Sequence, residues 1–222
     1  MPFSTPPRAL RRHLLAACLA SLAPFAAARP VADCDRLKLV LDPSLTPEIL
    51  QRDWATGTTH AEANAVLELR GCHDELLDRL ELAAPRATLD AARLRGAPFP
   101  TWLATADLTA PFGSYSGPLT VPVEVVAHRL RVARARGPAG AMMPIHLAAT
   151  GKAAWRRVAA GKGEDLLAVA STPDGDDFIT TWRRYRVTSH GWRWTQRITP
   201  ELWESDADFP PTTAFPRVAD KP

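Results

Sequence analysis

Hydrophobic and polar residues alternate along much of the second half of the chain, a pattern that predicts β-strands with one buried face. The clearest example is the stretch 176–209, where two alternating runs flank the turn cluster Ser189-His190-Gly191. This stretch also contains four of the seven tryptophans and five arginines. The alternation therefore predicts an antiparallel hairpin that is rich in Trp and Arg.

The loop length of this hairpin determines which side chains share a face. A four-residue loop over 188–191 pairs Val187 with Trp192, Tyr185 with Trp194 and Thr181 with Ile198, and a two-residue loop His190-Gly191 shifts that register by two residues without changing the faces. Both registers predict an apolar face made of Tyr185, Val187, Trp192, Trp194 and Ile198. The opposite face, called here the Arg/Trp face, consists of Trp182, Arg184, Arg186, Arg193 and Arg197. Arg183 is the exception, because it falls on the apolar side.

Shorter strand patterns, separated by Gly and Pro, occur along the rest of the chain. They cover 36–41, 65–70, 102–108, 119–126, 129–135, 145–149 and 166–171. Two helices are predicted as well. The first begins with Thr46 as N-cap and Pro47 at the first helical position, and it runs to about Trp54. The second is predicted over 87–95 from the helix-forming composition of that segment. The segments 75–83 and 152–160 fit a helix or a strand equally well.

These patterns predict an α+β fold with a mainly antiparallel β body, in the form of a sheet, a sandwich or a partly open barrel. A few short helices in the N-terminal half and one disulfide complete it. The expected parts are a leader (1–28), a disulfide-closed N-terminal part (29–99), a β-rich body that ends in the hairpin (100–209) and a Pro-rich surface tail (210–222).

The N-terminus has the features of a cleaved signal peptide. Arg8, Arg11 and Arg12 precede an apolar run over 14–28, and Ala26-Ala27-Ala28 offers a cleavage site. The run is shorter than the ~20 residues that a transmembrane helix needs, so we expect a soluble mature protein in the periplasm or outside the cell. Lipidation at Cys18 is disfavoured, because only four apolar residues separate it from His13. The arginine pair leaves general secretion and twin-arginine export both open.

Cleavage at this point would leave Cys34 and Cys72 as the only cysteines, and in an oxidising compartment they predict one disulfide. It would close a loop of 38 residues. No C-x-x-C or Cys/His spacing suggests a metal or redox role for them.

Net charge does not indicate a nucleic-acid partner. The leader contains three of the 27 basic residues and none of the 24 acidic ones, which leaves 24 of each in the mature chain. The charge is nevertheless uneven, with a net value of −4 over 29–110, +7 over 111–199 and −3 over 200–222. A folded chain of this kind can neutralise its basic middle with its acidic ends.

The sequence contains no motif that predicts catalysis, a cofactor or a metal site. The run Gly113–Gly117 has Tyr115 where a nucleophile elbow needs Ser, and Asp174 and Asp176 form only one alternating acidic pair, which is too few for calcium. A hydrolase would have to use carboxylates such as Asp107 and Glu124 in one cleft, at the ~5–9.5 Å separation that glycoside hydrolysis requires.

The most economical functional hypothesis is a non-enzymatic, exported binding or inhibitor-like protein of the bacterial periplasm. Its Arg/Trp face would meet an acidic protein or a carboxylated glycan of the envelope. Two plainer interpretations are that this face is simply solvated, or that the acidic residues Glu201, Glu204, Asp206 and Asp208 cover it. The alternatives in function are an envelope hydrolase that acts on glycan or peptide, and a structural component of an envelope complex.

Overall fold

The structure is a computed structural model that describes residues 34–58, 60, 63–92, 94, 97, 99–110, 113–160 and 163–218. Within them the chain forms one α-helix, α1 (Pro47–Ala55), and 14 β-strands. The first seven strands are β1 (Arg36–Val40), β2 (Val66–Arg70), β3 (Leu76–Glu81), β4 (Ala87–Ala92), β5 (Thr101–Ala106), β6 (Leu119–Val126) and β7 (Arg129–Val132). The other seven are β8 (Arg134–Arg136), β9 (Met142–Pro144), β10 (Leu147–Ala148), β11 (Ala153–Ala160), β12 (Gly163–Asp174), β13 (Asp177–Thr188) and β14 (Gly191–Thr199).

The strands form three sheets, and the predicted antiparallel β body is confirmed. The first sheet has the order β1-β2-β3, and the second has the order β10-β6-β5-β4 with β7 also paired to β6. The third has the order β11-β12-β13-β14-β8-β9. Neighbouring strands are antiparallel except β14 and β8, which are parallel.

The five-stranded sheet is the middle layer, because alternate residues of its strands pack in opposite directions. Ala104 and Ala106 of β5 join a core with Leu67 and Leu69 of the three-stranded sheet. Leu103, the residue just before Ala104 in the same strand, instead joins a core with side chains of the six-stranded sheet. The long β12–β14 strands therefore lie against the middle sheet through one face only, and their other face is available for a different layer.

The helix predicted after Thr46 is confirmed, and its start has the expected cause. The Thr46 hydroxyl oxygen accepts a hydrogen bond from the Ile49 amide at 3.4 Å, and the Thr46 carbonyl accepts one from the Leu50 amide at 3.0 Å.

The predicted helix over 87–95 is wrong, and with it the expectation of several short helices. Residues Ala87–Ala92 form β4, which pairs with β5 along its whole length from Ala87↔Ala106 to Ala92↔Thr101. Helix propensity is a weak preference. In this segment the backbone hydrogen bonds to β5 and the burial of Ala87 and Ala92 favour the strand more strongly. The adjoining residues 93, 95 and 96 lie outside the described part.

Three other segments become definite. The ambiguous stretches 75–83 and 152–160 are strands, β3 and β11. The run predicted as one strand over 129–135 is split at the buried Ala133, whose amide donates to the Pro122 carbonyl. As a result β7 belongs to the middle sheet and β8 to the six-stranded sheet.

The predicted disulfide is confirmed: Cys34 and Cys72 are bonded, with their Cα atoms 4.9 Å apart. It fastens the residues before β1 to the residues after β2, which are paired from Arg36↔Arg70 to Val40↔Val66. No helix of the described residues is long and apolar enough to cross a membrane. The predicted leader and Cys18 lie outside the described residues.

Candidate functional site

The hairpin of β13 and β14 has the predicted register, with Val187 opposite Trp192 and Tyr185 opposite Trp194. Thr188 and Gly191 form its last pair, so Ser189 and His190 make a tight turn. The predicted division into two faces is also confirmed near the turn: Tyr185 and Trp192 are buried in the core shared with the middle sheet. At the far end the apolar face ends, since Ile198 is 53% exposed.

The prediction that Trp182 points into solvent is wrong. Trp182 lies on the expected side of the sheet but is only 8% exposed, because the chain after β14 folds back over it. This C-terminal segment, residues 201–218, places Trp203 and Phe215 in one cluster with Leu167, Val169 and Trp182. The Trp182 indole N–H also donates to the Thr199 hydroxyl at 3.0 Å.

The C-terminal segment covers the sheet with apolar side chains rather than with its acidic ones. Glu204 forms its ion pair with Lys152, and Glu201 accepts a hydrogen bond from Thr199 at 2.7 Å. Among the described residues, none of the four acidic residues proposed to cover the Arg/Trp face forms an ion pair with an arginine of the hairpin. The prediction of a surface tail is therefore wrong for residues 210–218, where Phe215 is 3% and Val218 6% exposed; residues 219–222 lie outside the described part.

Two arginines of the predicted face are held by a buried carboxylate. Asp165 of β12 is 1% exposed, and its carboxylate accepts from Arg184 Nε at 2.5 Å and from Arg186 Nε at 2.8 Å. Arg186 Nη2 adds a third hydrogen bond at 3.1 Å. Two guanidinium groups on one carboxylate form a stabilising internal network, so these arginines have less capacity to bind a partner.

The remaining arginines of the predicted face are more accessible. Arg197 is exposed, and Arg193 is half-buried between Arg186 on one side and Arg136 on the other in the strand register. The structure thus brings all five predicted residues onto one side of the sheet. Of these five, only Arg193 and Arg197 are accessible and form no ion pair with another described residue.

The two carboxylates considered for a hydrolase do not meet. Glu124 pairs with Thr101 at the start of β5, whereas Asp107 follows the other end of that strand. Six residues of extended chain separate their positions by about 20 Å, far beyond the ~5–9.5 Å that two-carboxylate glycoside hydrolysis needs.

Glu124 instead lies between the sheets, where its carboxylate accepts a hydrogen bond from Trp192 Nε1 at 2.8 Å. Burial raises the pKa of Glu124, and this hydrogen bond opposes the shift.

Asp107 does line a concave site of the described residues, a groove of about 700 Å³. We call it the α1 groove, because one face of helix α1 forms a wall through Pro47, Leu50 and Gln51. The other walls are the connection between β3 and β4 (83–86), the residues after β5 (107–110), and Thr58, His60 and Asn64. This volume is in the ~300–1,000 Å³ range of small-molecule sites.

The α1 groove combines apolar walls with a few polar groups of defined orientation. His60 Nε2 is 3.0 Å from Asp53 Oδ2, and Asn64 Nδ2 donates to Glu81 Oε1 at 2.9 Å. Asp107 Oδ1 accepts from the Thr109 amide at 3.1 Å, and the Asp107 amide donates to the Arg86 carbonyl. Asp107 is the one acidic side chain among the described residues that line the groove.

Arg86 is the groove's cation, and no carboxylate of the described residues forms an ion pair with it. The pKa of Glu48 on helix α1 is lowered mainly by a hydrogen bond from Thr46, and the charge of Arg86 adds a smaller effect in the same direction. Within the part of the chain that the structure describes, the one hydrogen bond of Arg86 is the one that its Nη1 donates to the Leu45 carbonyl, at 3.4 Å. A half-buried guanidinium with most of its donors available can take a carboxylate or phosphate in a bidentate arrangement. The groove escaped sequence reasoning because it is assembled from four separate segments, of which only the Thr46-Pro47 helix start and Asp107 had been singled out, and neither was connected with the other.

The chain matches no known protein-family model, and searches of curated proteins and of solved structures find no similar protein.

Proposed function

We propose that this chain is an exported bacterial protein that binds a carboxylated ligand, such as an acidic glycan fragment of the envelope, in the α1 groove. The observation that carries the proposal is Arg86, a guanidinium that forms no ion pair with a carboxylate of the described residues and lies beside the apolar wall of α1. The leader-like residues 1–28 and the Cys34–Cys72 disulfide support export to an oxidising compartment.

In this binding mode Arg86 would pair with the ligand carboxylate, and Leu50 and Pro47 would contact the apolar face of a sugar ring. At the opposite side of the groove, the Asp107 carboxylate would accept hydrogen bonds from ligand hydroxyl groups, and the Asn64 amide would donate to or accept from them. The Arg/Trp face is the less favoured surface, since Trp182 is buried and two of its arginines bind Asp165.

The test is calorimetric titration of the mature protein with uronate-containing oligosaccharides and with their neutral, carboxyl-reduced counterparts. We expect binding of the acidic series only, and a loss of at least tenfold in affinity for Arg86→Gln, because a charge-assisted pair contributes about 1.5–3 kcal/mol. Arg197→Gln is the matched control, an exposed arginine outside the groove. If Arg197→Gln weakens binding and Arg86→Gln does not, the hairpin is the binding surface and the groove proposal fails.

Export is tested separately by fractionation and intact mass. The proposal expects a periplasmic or secreted protein whose first residue is Arg29. A cytoplasmic protein that retains residues 1–28 would contradict it.

A hydrolase is the second candidate, and one observation favours it. The groove holds His60 in hydrogen-bond contact with Asp53, the arrangement of a general base with an orienting carboxylate. Hydrolysis of an acidic oligosaccharide by the wild type, abolished in His60→Ala, would establish an enzyme; binding without turnover, retained in His60→Ala, would support the binding protein.

A further inference from the structure

A second, smaller pocket lies on the six-stranded sheet, far along the chain from the α1 groove. It has a volume of about 200 Å³ and is centred on the face of β12 and β13 that also packs against the middle sheet. The strand register explains why there is space: Ala168 is directly opposite Arg183, and Ala170 is directly opposite Thr181. Methyl side chains at two neighbouring positions leave a hollow beside the long side chain of Arg183.

Arg183 is the arginine that the sequence placed on the apolar side of the hairpin, and its surroundings differ from those of Arg184 and Arg186. Those two share Asp165, whereas no carboxylate of the described residues forms an ion pair with Arg183. Its Nε is buried and has no hydrogen-bond acceptor in the described chain. Its guanidinium carbon lies 5.4 Å from the centre of the Trp194 ring, which holds it in place.

The Tyr185 hydroxyl also belongs to this pocket and contacts Arg183. Burial raises the pKa of Tyr185, while the charge of Arg183 and a hydrogen bond from it act in the opposite direction. His146 contributes a polar side chain at the exposed side. The pocket therefore contains a fixed positive charge, two kinds of hydrogen-bond donor and an aliphatic wall, but no described acidic side chain.

An arginine remains charged at any physiological pH. Arg183 is half-buried, and its buried Nε has lost contact with water without gaining an acceptor in the described chain, which is costly. An anion from solution would supply the missing partner. We propose that this pocket, the Arg183 pocket, binds a carboxylate carried on a small aliphatic group, either a free short-chain acid or the C-terminal residue of a peptide. The carboxylate pairs with Arg183, and the aliphatic part lies against Ala153, Ala168 and Ala170.

The ligand is a small one, since the volume is below the ~300 Å³ at which drug-sized sites begin. The same site would reject an amide of identical shape, because Arg183 would again be left without an anionic partner. This proposal is independent of the α1 groove, so either site can fail without the other.

The test is a titration of the mature protein monitored by tryptophan fluorescence, for which Trp194 beside Arg183 is the reporter. The probes are acetate, propionate and butyrate, N-acetyl-alanine, and N-acetyl-alanine amide as the uncharged control. We expect affinity to rise about fourfold for each methylene group added to the free acid, and no response to the amide. Tighter binding of N-acetyl-alanine than of butyrate would identify a peptide C-terminus as the ligand, and the reverse order would identify a free acid.

Two variants make the result decisive. Arg183→Gln is expected to reduce affinity at least tenfold, and Ala168→Leu, which keeps the charge and fills the hollow, is expected to remove the preference for butyrate over acetate. Each variant is first checked for a wild-type unfolding transition, and Arg197→Gln serves as the matched control. Equal responses to acid and amide, or wild-type affinity in both Arg183→Gln and Ala168→Leu, would overturn the proposal.

Discussion

Trp182 and Phe215 lie edge to face, with their ring centres 5.7 Å apart, although 33 positions separate them in the chain. Phe215 in turn stacks on Phe209, with ring centres 5.8 Å apart. Through this contact, the part of the Arg/Trp face around Trp182 is buried in a third hydrophobic core, which also contains Trp203. The C-terminal segment is therefore part of the fold and not an appendage.

Removal of the Phe215 ring should consequently destabilise the protein. We expect Phe215→Ala to lower the free energy of unfolding by about 3–4 kcal/mol, because it removes a large buried aromatic side chain. It should also make residues 201–218 sensitive to limited proteolysis before the rest of the chain unfolds. Leu202→Ala, at an exposed position of the same segment, is the control and should stay within about 0.5 kcal/mol of the wild type. Equal proteolysis of Phe215→Ala and Leu202→Ala would contradict this role for Phe215.

The comparison of Trp182 with Trp192 shows what sequence reasoning could reach. The register of the hairpin follows from local information, a tight turn and the two-residue period of a strand, so the face of each side chain was predictable. Coverage of that face depends on residues 203–215, which pack back across the sheet by contacts between distant positions. The α1 groove and the Arg183 pocket were missed for the same reason, because each is assembled from strands and loops that only the tertiary fold brings together.

Asp165 illustrates a different limit. Nothing in the sequence distinguishes Asp165 from the other acidic residues, and only the pairing of β12 with β13 places it between Arg184 and Arg186.

We expect Asp165→Ala to lower the free energy of unfolding, measured in urea, by about 3 kcal/mol, since it leaves two partly buried guanidinium groups without their carboxylate. Asp165→Asn should cost less, because an amide oxygen still accepts a hydrogen bond. Asp174→Ala, at the exposed end of β12, should be close to neutral. A similar small effect for Asp165→Ala would show that the contacts of Asp165 with the two arginines are not stabilising.

The turn between β6 and β7 contains a correctable strain. Ala127 and His128 have φ angles of 51° and 60°, the left-handed values of a two-residue hairpin turn that favours Asn and Gly. Alanine in this region is penalised, because its Cβ approaches the following carbonyl. We expect Ala127→Asn to raise the free energy of unfolding by about 0.5–1 kcal/mol. The control is Ala139→Asn, at an exposed turn position that does not have a positive φ angle, which should give no gain. A gain of the same size in both variants would rule out backbone strain as the cause.

Glu124 should make the stability of the protein depend on pH in the direction opposite to that of a salt-bridged carboxylate. Burial raises its pKa in the folded state, so the folded protein holds this proton more tightly than the unfolded chain does. The stability that Glu124 contributes is therefore fully present below the unfolded-state pKa, about 4.3, and is lost as pH rises through the higher folded-state pKa. The carboxylate lies between two sheets, where its one described hydrogen bond comes from Trp192.

Glu124→Gln keeps an oxygen that can accept the hydrogen bond from Trp192 Nε1 but removes the charge. We expect the variant to be more stable than the wild type at pH 7, and this advantage to shrink as the pH falls through the raised folded-state pKa of Glu124 toward about 4.3, below which it changes no further. Urea unfolding of both proteins at pH 7 and at pH 4 measures the change. Trp192→Phe is the complementary variant: because the hydrogen bond from Trp192 lowers the pKa of Glu124, its loss should raise that pKa further and increase the dependence on pH. If Glu124→Gln differs from the wild type by the same amount at both pH values, Glu124 does not titrate differently in the folded and unfolded states.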